Sequence, residues 1–205
     1  MKLHSNSFEH RHPFPAALAM GRVGDTFSGN RNPHLAWSEA PDGTRSFALL
    51  CIDPDVPTVA DMVGKPGVEI PVEQVRTEFV HWAMADIPAD VREIAEGAWS
   101  DGVTIGGKRN PSGPHHARHG LNGYTDWFAG NADMGGDYFG YDGPFPPSND
   151  LRVHRYFFRM FALDVAQLDL PARFTANDVL RAMHGHVLAE ALTYGTYWLH
   201  PNISG

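Results

Sequence analysis

The feature that most constrains this chain is "SFALLCIDPDVP", Ser46 to Pro57, where an apolar run breaks into two aspartates interleaved with two prolines. The run from Ser46 to Ile52 has the length of a strand and almost no polar member, the pattern of a strand buried on both faces. Its acidic half places two carboxylates, beside residues of fixed φ, where that strand would come out into solvent. A hydrophilic turn is one use for such a segment. A binding or catalytic site at the end of a β-sheet is the other, and the rest of the sequence has to choose.

Two further segments read as strands. In "EFVHWAMADIP", Glu78 to Pro88, alternation puts Phe79, His81 and Ala83 on one face and Val80, Trp82 and Met84 on the other. In "HRYFFRMFALD", His154 to Asp164, residues His154, Tyr156 and Phe158 share a face opposite Arg155, Phe157 and Arg159. The 16 prolines and 21 glycines favour short strands and turns over long helices. Asp101 to Asp150 carries eleven of those glycines, shows neither period, and is expected to form loops that wrap one end of a sheet. One helix is expected, in "FTANDVLRAMHGHVLAEALTYG". There Thr175 and Asp178 have capping-box spacing, Val179, Met183, Val187 and Ala191 recur every four residues, and Gly195 supplies a stop.

The 205 residues suffice for one sizeable core, and no repeat or low-complexity linker marks a boundary, so a single domain over 1–205 is expected. A formal charge of −8 argues against nonspecific binding to nucleic acid or to an anionic membrane, both of which need a basic surface. The lone cysteine, Cys51, excludes an intrachain disulfide and a Cys-cluster zinc site, and reads as a small buried hydrophobe. Charges and histidines interrupt the N-terminal stretch where a secretory signal would be apolar, and no run approaches the roughly 20 apolar residues of a membrane span. A cytoplasmic location without an integral membrane segment is the expectation.

Four pieces carry chemistry: "DPDVP", "VHW", "YDGPFPP" and "HRY". Each alone has a plain structural use, as a turn, a core histidine or an extended proline loop. Together they place two aspartates and two histidines at strand ends, which in a sheet-based fold converge on a shallow pocket. A carboxylate beside an imidazole fixes its tautomer and raises its pKa, leaving the other ring nitrogen as a directed donor. Such imidazoles, a tyrosine hydroxyl and proline walls suit a phosphate or another small anion.

These pieces in this order resemble the phosphatidylethanolamine-binding protein family, which includes the Raf kinase inhibitor proteins and bacterial relatives. The likeness runs from "NPHLAW" through "PDGTRSFALLCIDPDVP", "FVHWAMADIP" and "YDGPFPPSNDLRVHRYFFRMFALD" to "GHVLAEALTYGTYWL". The resemblance implies a mainly β fold, a Greek-key β-sandwich of two antiparallel sheets with a C-terminal α-helix bordering an anion pocket. Carried over by motif, the ligand-binding residues are Asp53, Asp55, His81, Pro146, Pro147, His154 and Tyr156. Two departures stand out. Asn32 replaces the usual Ser of the first motif, and the segment from Asn110 to Tyr141 is longer and richer in His and Trp. Arg152 would share a face with His154 and add positive charge near the anion.

The function this implies is non-catalytic binding of a phosphate-like anion or phospholipid head group, with no cofactor and with a partner kinase or protease as a regulated target. No nucleophile in an elbow motif accompanies the histidines. A metal-dependent hydrolase using Asp53, Asp55, His81 and His154 is the alternative. The aromatic residues Trp127, Phe128, Tyr138 and Phe139 would serve as a satellite core, a protein-contact surface or a homodimer contact.

Overall fold

A computed structural model describes residues 1–24, 26–111, 113 and 116–203. Among these the chain forms ten strands: β1 Lys2–His4, β2 Gly21–Arg22, β3 Thr26–Phe27, β4 Leu35–Ser38 and β5 Ser46–Pro57, then β6 Arg76–Pro88, β7 Glu93–Ile94, β8 Arg118–His119, β9 His154–Leu163 and β10 Val187–Tyr197. Two short helices, α1 Tyr124–Trp127 and α2 Ala176–Ala182, complete the α and β elements. The strands make an antiparallel five-stranded sheet in the order β10-β9-β5-β6-β8, a three-stranded sheet β1-β4-β7 and the two-stranded β2-β3. The fold is mainly β, with antiparallel sheets and few helices.

The position of β5 explains its composition. It is the middle strand of the five, and both of its faces meet a core. Phe47, Leu49 and Cys51 pack with Trp82, Met84 and Phe158 against Leu35, Trp37 and Ile94 of the small sheet. Ala48, Leu50 and Ile52 face the other way, beneath Val179 of α2 and the nearby Leu168, Phe174 and Met183. Each fully buried Leu, Ile or Phe contributes about 1.5–3 kcal/mol of transfer free energy, so a polar residue at any of these positions would be costly. The Cys51 thiol is sealed in this core, and burial pushes its pKa well up.

The prolines of "DPDVP" do not end the strand. β5 continues to Pro57 along β6, with a register shift between Asp53 and Val56, whereas its pairing with β9 stops at Ile52. Pro54 has no N–H for a ladder and is tolerated only where the ladder is already irregular. Beyond Ile52 the backbone ladder between β5 and β9 gives way to side-chain bonds, between Asp53 and His154 and between Asp55 and the Arg155 N–H.

A second irregularity overturns the simple alternation expected for β6. Cys51 pairs with Trp82 and Ile52 with Val80, so His81 is the extra residue of a bulge. Val80 consequently joins Ala83 and Ala85 on the α2 side, while Trp82 and Met84 face the opposite core. On β9 the expected alternation holds, with Tyr156, Phe158 and Met160 all in the core against the small sheet.

The expected long C-terminal helix is also corrected. The capping box forms between Thr175 and Asp178, but α2 ends at Ala182. Gly185, with φ +83°, turns the chain. Residues 187–197 then form β10, an edge strand antiparallel to β9. A spacing of four residues is a multiple of the strand period and close to one helical turn, so the recurrence Val179, Met183, Val187, Ala191 fits both. Gly195 is no helix stop. It is a buried strand residue across which Phe14 packs, and a Cβ there would lie 2.1 Å from the phenyl ring.

Candidate functional site

Residues of β5, β6 and β9 together form the buried end of a cavity of about 280 Å³. Asp53, His81, His154 and Tyr156 line it and are all almost wholly buried. Its remaining wall is largely apolar: Val56, Pro57, Val63, Phe79, Phe128, Phe145, Pro146 and Pro147. Trp127 of α1, 46% exposed, also lines it and marks its open side. Asp53, His81, Pro146, Pro147, His154 and Tyr156 are thus brought together, as their motifs anticipate. Asp55 is not.

Asp55 points away from the cavity into a clamp of arginines. It accepts from the Arg155 backbone N–H at 3.1 Å, from Arg155 Nε at 2.8 Å and Nη2 at 2.9 Å, and it pairs with Arg152 Nε at 3.1 Å. Arg152 therefore pairs with Asp55 and is not among the residues that line the cavity, contrary to the expectation from alternation. The physical reason is the turn at Asp53, whose Oδ1 accepts the Asp55 N–H at 2.8 Å, an Asx-type closure around Pro54. The turn sends the two carboxylates in different directions.

Asp53 Oδ2 accepts from His154 Nδ1 at 2.6 Å, while His154 Nε2 meets Asp150 Oδ2 at 3.0 Å. Asp150 is gripped in turn by Arg76, through Nη1 at 2.5 Å and Nη2 at 3.1 Å. Burial alone would lower the His154 pKa, but Asp53 and Asp150 outweigh it and hold the group up at about 9. His154 is an imidazolium with both N–H groups committed. It keeps no free nitrogen for a ligand, which corrects the expectation of a directed donor here. Two cations and two carboxylates close into a neutral frame.

His81 has the opposite surroundings. Its Nδ1 lies 2.7 Å from the backbone carbonyl of Asp142, an acceptor, so Nδ1 carries the proton. Burial lowers its pKa, against the pull of Asp53 and Asp142, and the ring is neutral at pH 7. Asp142 is held by Asn30 Nδ2 at 2.7 Å, Asn122 Nδ2 at 2.8 Å and Lys108 Nζ at 3.0 Å, which fixes the carbonyl that orients His81. The Tyr156 ring centroid lies 5.1 Å from that of His81. Among the described residues the buried Tyr156 hydroxyl has no hydrogen-bond partner. Buried polar groups are normally paired, and of the four unpaired buried side-chain atoms among the described residues Tyr156 Oη is the one belonging to a cavity-lining residue.

Arg76, Asp142, Asp150 and Lys108 escaped sequence reasoning because their pairings span long separations, 74 residues for Arg76 and Asp150. Tyr124, Trp127 and Phe128 come from the long segment whose insertion the sequence did flag. Within it, Ser112, Pro114 and His115 lie outside the described residues. Helix α2 packs over the opposite face of the main sheet and supplies no lining residue, so the helix expected to border the pocket does not. Of the four aromatic residues expected to form a satellite core, two do: Tyr138 packs with Met20 and Tyr124, and Phe128 lies against them, whereas Trp127 and Phe139 are not part of that cluster.

Comparison with known proteins agrees with this architecture. Residues 4–198 match the family model described as phosphatidylethanolamine-binding protein, and the chain belongs to that family. It is 36% identical over 168 residues to a UPF0098 protein of Methanothermobacter thermautotrophicus, covering 82% of this chain and 83% of the relative. It is 32% identical over 197 residues to the UPF0098 protein YbhB of Escherichia coli, covering 93% and 96%. Among solved structures, YbcL of Escherichia coli superposes with a TM-score of 0.70 at 25% identity, covering 96% of this chain and 97% of that one. A homologue from Chlamydia trachomatis gives 0.65 at 27% identity, with coverage of 96% and 95%.

Proposed function

We propose that the cavity binds a phosphate-like anion, either a free phosphomonoester or the phosphodiester head group of a lipid. The observation that carries this reading is the Tyr156 hydroxyl, without a hydrogen-bond partner among the described residues, beside His81 at the buried end of a largely apolar cavity. Polar groups gathered at one end orient a head group, and the apolar wall toward Trp127 suits the organic remainder. The family description favours the same chemistry.

The reading is of a binding protein rather than an enzyme. Cys51 is sealed in the core, and His154, charged and held between two carboxylates, has no lone pair with which to act as a base. The same saturation counts against the hydrolase alternative: His154 cannot ligate a metal while both nitrogens carry protons, and Asp55 faces elsewhere. Among the described residues no cluster of three His, Cys, Asp or Glu side chains has metal-binding geometry.

Isothermal titration with O-phosphoethanolamine and with glycerophosphoethanolamine tests the proposal and separates its two sources. Saturable binding of the monoester, the diester or both is expected, weakened by Tyr156→Phe. Absence of binding by either compound would remove the reading.

A further inference from the structure

We propose that the anion enters the cavity together with one proton, held on His81 Nε2, so that the occupied site contains an imidazolium–phosphate pair where the empty site contains a neutral ring. The inference rests on the anion-binding reading above and adds what that reading requires of the protein.

The hydrogen bonds at the buried end of the cavity favour this coupling. The Asp142 carbonyl can only accept, so Nδ1 of His81 keeps its proton in every state. A neutral His81 therefore turns a lone pair toward the cavity. An unprotonated phosphate oxygen also brings only lone pairs, and two acceptors cannot bond. The Tyr156 hydroxyl and Ser148, which also line the cavity, are neutral and bring no charge to match an anion. The nitrogens of His154 are both engaged, and both Asp53 oxygens already accept. Protonation of His81 supplies a further donor and the compensating charge at once.

The charges around the ring favour this coupling. From β5 comes Asp53, matched by His154 of β9; from β9 also Tyr156; from α1 the neutral Tyr124, 5.7 Å away between ring centroids. From the loop after α1 comes Asp142, matched by Lys108 at 3.0 Å. Each neighbouring carboxylate already has its cation, so burial prevails in the empty site and keeps His81 neutral. An arriving anion is the one charge without a match. Burial pushes Tyr124 and Tyr156 up, and His154 is held charged, so of these groups His81 is the one that changes state near neutrality.

The test is calorimetry with glycerophosphoethanolamine, whose phosphodiester does not titrate near neutrality, in buffers of different ionisation enthalpy at pH 7.5. The expected result is uptake of about one proton per anion, with affinity falling about tenfold for each pH unit between 7 and 8. His81→Gln, whose amide is a donor at every pH, should bring the proton count to zero and flatten the profile. Tyr156→Phe should weaken binding and leave the count near one. Wild-type binding with no proton uptake and a flat pH profile would overturn the coupling while leaving the anion site intact. No binding anywhere from pH 5.5 to 8.5 would overturn both.

Discussion

His81 and His154 stand on the two strands that flank β5, both buried and both beside Tyr156, yet they end in opposite states. His154 lies between two carboxylates, and its second carboxylate is locked by an arginine. His81 is held by a carbonyl, which sets the tautomer without supplying a full charge at the ring. The comparison separates two jobs that a sequence motif runs together. Charged partners saturate His154 and make it part of the frame. A neutral partner leaves His81 one nitrogen for the cavity.

Removing a partner of the saturated histidine should break that contrast most severely. Asp53→Ala leaves the His154 imidazolium buried with half its pairing gone, and a loss of about 3–5 kcal/mol is expected in urea denaturation. His81→Gln should cost much less in the same experiment, because no buried charge is orphaned. Equal losses would erase the distinction.

A pH series sharpens it. The folded His154 pKa of about 9 lies above the 6.5 of an unperturbed histidine, so its contribution is complete below pH 6.5 and is lost as pH rises through 9. The shift corresponds to about 3 kcal/mol. The His81 pKa is lowered, so its contribution has the opposite sign, present above the unperturbed value and lost as pH falls. Urea midpoints should fall between pH 6.5 and 9, and His154→Asn should flatten that fall. An unchanged slope in the variant would assign the effect elsewhere.

The fold and the site were legible to different depths. The three longest motif strands, β5, β6 and β9, could be placed because their apolar patterns and turn residues are local. The bulge that makes His81 the extra residue was not legible, since it exists only in register with Cys51 and Ile52. The strand β10 was hidden by a four-residue spacing that both periods accept. The motif located Asp53 and Asp55 together, but only the Asx closure shows that they diverge.

Smaller effects follow at Tyr156 and Asp55. Tyr156→Phe removes a hydroxyl that has no partner among the described residues. Affinity for O-phosphoethanolamine should fall by roughly 1.5–3 kcal/mol, while stability holds or rises. A loss of stability would instead make the hydroxyl structural. Asp55→Asn releases two partly exposed arginines, for which about 1–2 kcal/mol of stability is expected, with anion affinity unchanged in titration. A large fall in affinity would put Asp55 back at the site.

The proposed site turns on His81, not His154, meeting the ligand. Histidine ring nitrogens are directly visible in ¹⁵N-detected long-range correlation spectra, recorded with and without O-phosphoethanolamine. The account predicts that His81 Nε2 moves from the chemical shift of a bare nitrogen to that of an N–H as ligand is added, while both His154 nitrogens stay protonated and unmoved. A His154 resonance that follows the titration while His81 stays still would contradict it.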